Sequence, residues 1–192
     1  IRQGCISYVY YNYLIHFMNF CSKCGSARIE KKIPEGDTLP RYICQDCSEI
    51  HYSNPNVVTG VLPINDANEI LLCRRSIEPR SGFWTLPAGF LENGESIEQG
   101  ALRETREEAK LEVNDVKLFT IISVPKINQV YSFFIGEIAN TDFGPTPESS
   151  EVKLFHVDNI PWDELAFRTV KLTIKQYLEH GRNSFFNRVL DN

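Results

Sequence analysis

The residues best suited to chemistry in this sequence are three glutamates on one predicted helix. Ser96 and Gln99 have the spacing of a capping box, which predicts that a helix begins directly after Ser96. At about 100° per residue, Glu107 and Glu108 lie within roughly 60° on either side of Glu104. Carboxylates this close repel one another, and a hard divalent cation such as Mg²⁺ relieves the repulsion because it takes oxygen ligands. The pattern is consistent with a metal site, although for a helix taken by itself a solvated acidic face is the more common arrangement.

The apolar residues of the same helix indicate how these acids are positioned. They recur every four residues and predict a stripe that packs on a sheet: Ile97, Ala101, Thr105 and Ala109. The glutamates lie beside this stripe, where packed surface meets solvent. If the acidic face is merely solvated, Arg103 pairs with Glu107 one turn away.

A longer pattern surrounds the helix. Its fixed positions are Gly89, Glu95, Arg103, Glu104, Glu107 and Glu108. This order resembles the Nudix box, G-x5-E-x7-R-E-U-x-E-E-x-G-U, where U is a bulky apolar residue. There are two departures, Thr105 at the first apolar position and Lys110 in place of the final glycine. Because glycine is best suited to a left-handed helix end, we expect this helix to end differently.

The resemblance implies a metal-dependent hydrolase of a nucleoside diphosphate that is linked to another group. By position, Glu104 and Glu108 would be the main ligands of Mg²⁺ or Mn²⁺. Glu107 would share a metal or its water shell. The backbone at Ala88 and Gly89 would add a carbonyl oxygen.

The resemblance also implies roles for acidic residues beyond the three on the helix. Glu95 and Arg103 would brace the loop–helix–loop rather than take part in chemistry. Many members of the family need another carboxylate from outside the box, as a base or an extra ligand. Glu148 and Glu151 lie in a loop before a predicted strand, and Glu148 is the first choice because it is farther from that strand.

Two C-x2-C pairs precede this region, separated by nineteen residues. They are Cys21 with Cys24 and Cys44 with Cys47. This spacing predicts a structural zinc site in which four thiolates close a tetrahedron. Disulfides are the alternative, and they are disfavoured because nothing marks the chain as secreted.

Three further residues, a histidine and two cysteines, are not expected to have a functional role. His51 is predicted to be a polar linker residue, although it could serve as a spare zinc ligand. Cys73 lies in an apolar run and is predicted to be a buried small hydrophobic residue. Cys5 has no obvious partner.

The remaining pattern predicts an α/β fold with a mixed sheet between helices. Predicted strands cover residues 57–64, 69–74, 116–124, 129–138 and 152–157, and predicted helices cover 162–167 and 169–180. This agrees with the Nudix α/β/α sandwich, here preceded by a small zinc ribbon. The expected division is an extension at 1–17, a zinc ribbon at 18–55, the Nudix domain at 56–181 and a tail at 182–192.

The first methionine of the chain is Met18. One hypothesis is that the natural protein starts there and that residues 1–17 are not native. The alternative is that residues 1–17 form an interaction segment.

Candidate residues for substrate contact lie before the box and on the strand after it. They are Arg74, Arg75, Arg80, Phe83, Trp84, Asn128, Gln129 and Tyr131. The arginines can neutralise phosphates, the rings can stack on bases, and the amides can bond a base edge. Core packing remains an equal alternative for Phe83 and Trp84.

The resemblance narrows the substrate to a dinucleotide. Two groups of Nudix enzymes carry a zinc ribbon, the NADH pyrophosphatases and the plastid FAD/ADP-ribose pyrophosphatases with their bacterial relatives. The first group has an S-Q-P-W-P-F-P motif, which residues 123–131 lack. We therefore expect FAD first, cleaved to FMN and AMP, then ADP-ribose, and NADH third. The alternative is a non-catalytic protein that binds nucleotides or serves as a zinc-ribbon interaction module.

Composition limits the partners. The net charge of −5 argues against a general nucleic-acid binder. We expect a small dinucleotide substrate, no nucleic acid, no membrane and a cytoplasmic location. A homodimer stays open.

Overall fold

The computed structural model describes residues 18–190. The chain divides between Asn54 and Pro55 into two compact units. In the smaller unit, three strands form an antiparallel sheet in the order β1-β2-β3: β1 Ile29–Lys32, β2 Arg41–Cys44 and β3 Ile50–His51. His51 therefore belongs to a strand and pairs with Tyr42, so its prediction as a linker residue was wrong. The hypotheses on residues 1–17, including Cys5, lie outside the described residues.

The larger unit is built on one eight-stranded mixed sheet. Its strands are β4 Asn56–Ile64, β5 Glu69–Arg75, β6 Trp84–Thr85, β7 Ala88–Phe90, β8 Val113–Val124, β9 Gln129–Ile138, β10 Ser149–His156 and β11 Phe186–Val189. The central path runs β10-β5-β4-β9-β8-β11, with β6 paired to β5 and β7 paired to β4. The β4–β9 and β8–β11 pairs are parallel and the other pairs are antiparallel.

Two helices cover the sheet, α1 Ile97–Ala109 and α2 Arg168–His180. Alternation along the strands sends side chains to both faces, and each face has its own apolar cluster. One cluster joins Leu62 to Ile174 of α2, and the other joins Val61 to Ala101 of α1. The predicted α/β/α sandwich is confirmed. Within residues 18–190, no helix combines the length and apolar character needed to cross a membrane.

Two predictions about the C-terminal part were wrong. The segment 162–167, predicted as a helix, holds a single 3₁₀ turn at Trp162–Glu164. The chain then extends because the Ala166 N–H donates to the Trp84 carbonyl at 2.8 Å, so a tertiary bond replaces a helical one. The expected tail contains strand β11, which takes its partners from the edge of β8.

The end of α1 also differs from expectation. Lys110 itself adopts the left-handed conformation, with φ of 56°, and its N–H donates to the Arg106 carbonyl at 2.8 Å. The helix therefore ends with the geometry that glycine gives elsewhere, at a cost of about 1 kcal/mol for a residue with a Cβ.

Candidate active site

Strand β4 contacts both β7, which precedes α1, and the first turn of α1 itself. Thr59 and Gly60 pair with Gly89 and Ala88 of β7. The Thr59 hydroxyl donates to the Ile97 carbonyl at 2.7 Å, which fixes the first turn of α1 over the sheet. The predicted capping box of Ser96 and Gln99 is present and sets where the helix begins.

Glycine is required at position 89 because the Glu104 carboxylate lies against its α-carbon. A Cβ built there would overlap the carboxylate carbon and both of its oxygens. The side chain of Glu104 is 13% exposed. Burial raises the pKa of Glu104, Arg103 opposes the rise, and the charges of Glu107 and Glu148 reinforce it.

Glu108 is the most deeply placed of the helix acids, with 7% of its surface exposed. Its Oε2 accepts the Ala88 N–H at 3.1 Å. Burial raises the pKa of Glu108 to about 8, and the negative charges of Glu104 and Glu148 add to the rise. The Ala88 N–H and the Arg75 charge oppose it. Burial among other carboxylates disfavours the ionised form, and a cation at this position would restore it.

Arg103 connects the acids to the loop before the helix. Its guanidinium donates to Glu95 at 2.7 and 3.1 Å and to the Phe90 carbonyl at 3.1 Å. It also donates to Glu104 at 2.7 Å and to Glu107 at 3.0 Å. The pairs expected from the sequence, with Glu95 and with Glu107, are both present, and a single arginine serves three carboxylates.

The two candidate acids outside the box differ in their surroundings. Glu151 forms an ion pair with Arg74 at 2.6 Å. Glu148 lies in the loop before β10, and its charge reaches Glu104 and Glu108, whose pKa values it raises. The effect of its charge on these two pKa values, together with the pairing of Glu151 to Arg74, favours Glu148 as the additional acid.

Among the candidate arginines, Arg75 faces the acid cluster. Its Nε donates to the Pro79 carbonyl at 2.8 Å, and its guanidinium lies 5.2 Å from the centre of the Phe167 ring. Its charge lowers the pKa of Glu108 and opposes the rise that burial causes in the pKa of Tyr131. Arg75 is therefore near both the acids and the strand that carries Tyr131.

Arg74 and Arg80 are engaged differently. Arg74 pairs with Glu151, donates to the Gly82 carbonyl at 2.9 Å and lies over the Trp84 ring. Arg80 is exposed, and its guanidinium lies 5.5 Å from the centre of the Phe83 ring.

The two candidate rings before the box have different environments. Trp84 is 5% exposed and packs edge-on against Phe155, with ring centres 4.9 Å apart. This burial favours core packing, which the sequence left as an equal alternative to substrate contact. Phe83 is half-buried and keeps part of its ring accessible beside Arg80.

The strand after the box presents a ring and an amide together. The hydroxyl of Tyr131 donates to Gln129 Oε1 at 2.7 Å, and the ring stacks on Phe133 with centres 6.2 Å apart. Asn128 has a φ of 53°, and its carbonyl accepts the Asn56 N–H at 2.9 Å. The backbone of Asn128 shapes the turn before β9, whereas Tyr131 and Gln129 form one surface.

Sequence reasoning missed Phe167 and Thr146. Phe167 was placed within a predicted helix, and its contact with Arg75 spans most of the larger unit in sequence. Thr146 contacts Glu108 and the main chain of Glu148, and only the proximity of Glu148 in sequence could have indicated it.

The four cysteines of the smaller unit lie together. Their Sγ atoms are all within 4.8 Å of one another, with Cys21 to Cys47 at 3.6 Å and Cys24 to Cys44 at 3.5 Å. The cysteines of the described region are free thiols, so the disulfide alternative was wrong. The Cys47 N–H helps to lower the pKa of Cys44 to about 7, although burial opposes this.

Cys73 lies far from these thiols in sequence and is fully buried in the larger unit, as predicted. Its surroundings are the apolar cluster under α1. Burial raises the pKa of the Cys73 thiol well above its usual range.

A mixed sheet between two helices, with glutamates of one helix against a glycine of the adjacent strand, places the larger unit in the class of α/β/α sandwich domains. The chain belongs to the Nudix hydrolase family: the NUDIX domain matches residues 54–176, and the Nudix N-terminal zinc ribbon matches residues 19–53.

Known proteins extend this assignment. The crystal structure of a NUDIX hydrolase from Nitrosomonas europaea is 47% identical, with a TM-score of 0.86, and the match covers 91% of this chain and 100% of that one. Relatives named NAD-capped RNA hydrolase NudC include one from Photobacterium profundum, 27% identical over 71% of this chain and 49% of its own length. Another, from Stutzerimonas stutzeri, is 30% identical over 74% of this chain and 49% of its own length. The chain thus spans about half the length of these curated relatives.

Proposed function

We propose that this protein hydrolyses the pyrophosphate bond of a dinucleotide, with FAD as the first choice of substrate and ADP-ribose the second. The observation that carries the proposal is the placement of Glu104 and Glu108. Both carboxylates are largely withdrawn from solvent against the β7 backbone, and both have raised pKa values. A perturbed acid pair in such a place is expected of a functional site rather than of a solvated helix face.

The donor set fits a divalent cation. Glu104 and Glu108 supply oxygen ligands, and Glu107 and Glu148 bring further negative charge to the same region. Bound there, Mg²⁺ or Mn²⁺ supplies positive charge for the phosphate oxygens and the attacking water. The side chains hold this arrangement, because Arg103 fixes one oxygen of Glu104 and the Ala88 N–H fixes one oxygen of Glu108.

The remaining residues bind and orient the substrate. Arg75 faces the acids and can neutralise a phosphate oxygen next to them. Tyr131 offers a ring and Gln129 an amide to one of the two bases, while Phe83 and Arg80 offer a second apolar and cationic surface. Arg74 forms an ion pair with Glu151, and this pair shapes the edge of the site.

The smaller unit fits a structural zinc ion. Four thiolates at about 2.3 Å from a metal define a tetrahedron with edges of about 3.8 Å. The observed separations of 3.5 and 3.6 Å between opposed Sγ atoms are close to that edge. We assign residues 18–55 to zinc-dependent folding and residues 56–181 to hydrolysis. The proposal places the enzyme in the cytoplasm, where reducing conditions keep such thiols available.

A substrate panel tests the function. Purified protein with Mg²⁺ or Mn²⁺ is given FAD, ADP-ribose, NADH and an NAD-capped RNA, and the products are identified. The RNA belongs in the panel because relatives carry that substrate in their names, although the net charge of −5 disfavours it. We expect FMN and AMP from FAD. Failure to cleave any dinucleotide would favour the binding-only alternative, and preference for NADH or capped RNA would overturn the ranking.

A further inference from the structure

One threonine hydroxyl connects helix α1 to the loop that carries Glu148. Thr146 Oγ1 donates to the Glu108 carbonyl at 3.3 Å, and it accepts the N–H of Glu148 at 3.3 Å and of Ser149 at 3.1 Å. Carbonyls in the last turn of a helix lack partners within the helix. The hydroxyl therefore satisfies one of them and fixes the start of the Glu148 segment to the helix end.

The backbone around Thr146 is restrained on both sides. Pro145 and Pro147 flank it, and proline restricts the backbone of its own residue and of the residue before it. Gly144 N–H donates to the Ala109 carbonyl at 3.0 Å, next to the carbonyl that Thr146 contacts. Two successive carbonyls of α1 thus hold this loop.

A second contact holds the other side of the loop. The Ser76 N–H, directly after β5, donates to the Glu148 carbonyl at 2.8 Å. The main chain of Glu148 is therefore held between Thr146 and the end of β5, while its side chain is exposed to solvent. The alternative acid, Glu151, is occupied by Arg74.

We propose that Thr146 is a positioning residue whose hydroxyl holds Glu148 at the end of α1, so that the Glu148 carboxylate joins Glu104 and Glu108 as a ligand of the divalent metal. This inference rests on the proposed function for the metal site. Without the hydroxyl, the loop keeps the bond from Gly144 to Ala109 but loses the bond to Glu108 and the bonds that the hydroxyl accepts from Glu148 and Ser149, so the Glu148 segment is less firmly positioned.

Two substitutions separate the hydroxyl from the methyl group. Thr146→Val keeps the shape and removes the hydroxyl, whereas Thr146→Ser keeps the hydroxyl. Binding of Mn²⁺ is measured by calorimetry on the full chain, with the acid site of the larger unit free of metal at the start. This readout does not depend on turnover. We expect Thr146→Val to weaken Mn²⁺ binding roughly tenfold and Thr146→Ser to stay within about twofold of wild type. Thr141→Val, at an exposed threonine earlier in the same connection, is the matched control and should bind like wild type.

A double-mutant cycle tests the route through Glu148. Glu148→Gln alone should weaken Mn²⁺ binding, and Thr146→Val should add little in that background because both changes remove the same ligand. The proposal is overturned if Thr146→Val binds Mn²⁺ normally, if Thr146→Ser is equally weak, or if the valine effect persists unchanged beside Glu148→Gln. A wild-type protein that binds Mn²⁺ but cleaves no dinucleotide would refute the proposed function and leave this inference standing.

Discussion

Replacement of Glu108 by glutamine should stabilise the protein in the absence of metal. The same replacement should abolish hydrolysis when Mg²⁺ or Mn²⁺ is present. Burial raises the pKa of Glu108 from its ordinary value of 4.5 to about 8. Between those values the unfolded chain has lost this proton and the folded protein still holds it. Stability therefore falls as pH rises through this window, and the loss is complete above pH 8.

The size of the loss in folding free energy follows from the shift in the pKa of Glu108. At about 1.4 kcal/mol for each unit of pH, ionised Glu108 costs the metal-free fold at most about 5 kcal/mol above pH 8. Glutamine keeps an oxygen for the Ala88 N–H and carries no charge, so Glu108→Gln should lack most of this loss. Near pH 5 the two proteins should differ little, because folded Glu108 is protonated there.

The assay is unfolding followed by tryptophan fluorescence in buffer without Mg²⁺ or Mn²⁺, at pH 5 and pH 9. Both tryptophans, Trp84 and Trp162, lie in the larger unit, so the signal reports on the fold that contains the acids. Between pH 5 and pH 9, the melting temperature of wild type should fall by up to about 10–20 °C more than that of Glu108→Gln, since about 1 kcal/mol corresponds to roughly 2–4 °C. Added Mg²⁺ should stabilise wild type at pH 9 more than it stabilises the variant, which lacks one of the proposed ligands. Glu107→Gln is the control, because that side chain is 60% exposed.

The same variant should lose turnover by orders of magnitude, because an uncharged side chain replaces a main metal ligand. Two results would refute the reasoning. One is near-normal activity in Glu108→Gln. The other is a wild-type protein whose metal-free stability does not fall between pH 5 and pH 9.

Three further predictions address the zinc, the substrate and the helix end. Chelation or Cys44→Ser should unfold residues 20–52, since metal binding supplies their folding energy; metal analysis that finds no zinc in carefully purified protein would contradict this. Tyr131→Ala should raise KM for FAD several-fold and affect kcat less, because stacking is shared by ground and transition states; Tyr131→Phe should stay near wild type, and a collapse of kcat at constant KM would rule out stacking. Lys110→Gly should stabilise the protein by about 1 kcal/mol in denaturant unfolding; an unchanged midpoint would show that the left-handed lysine carries no strain.

The parts of the site that are continuous in sequence could be predicted from it. The helix start, the pairing of Arg103 with Glu95 and the grouping of the acids all depend on residues within about two turns of one another. The helix start and the grouping of the acids follow from capping and the helical repeat, which act locally, whereas the role of Glu95 with Arg103 was implied by the resemblance to the Nudix box. The Cys pairs were predictable for the same reason, because each knuckle is a local structure and the metal joins the two.

The contacts between distant segments could not be predicted in this way. Whether Trp84 faces ligand or core depends on Phe155, which reaches it through the pairing of β10 with β5. Whether Glu148 or Glu151 faces the acids depends on Arg74, on the strand beside it. Strand β11 has four residues and gains its partners from β8, so its own sequence gives little indication of it.

The candidate metal ligands come from α1 and the loop before β10, whereas the candidate substrate residues Arg75, Gln129 and Tyr131 come from β5 and β9. Under the proposed function, we therefore expect changes at Arg75 or Tyr131 to alter substrate preference without displacing Glu104 or Glu108. A relative that shares the box and the zinc ribbon accordingly supports the reaction more strongly than it supports the substrate. The residues to compare between this chain and an NAD-capped RNA hydrolase are Arg75 and its neighbours Phe167 and Tyr131.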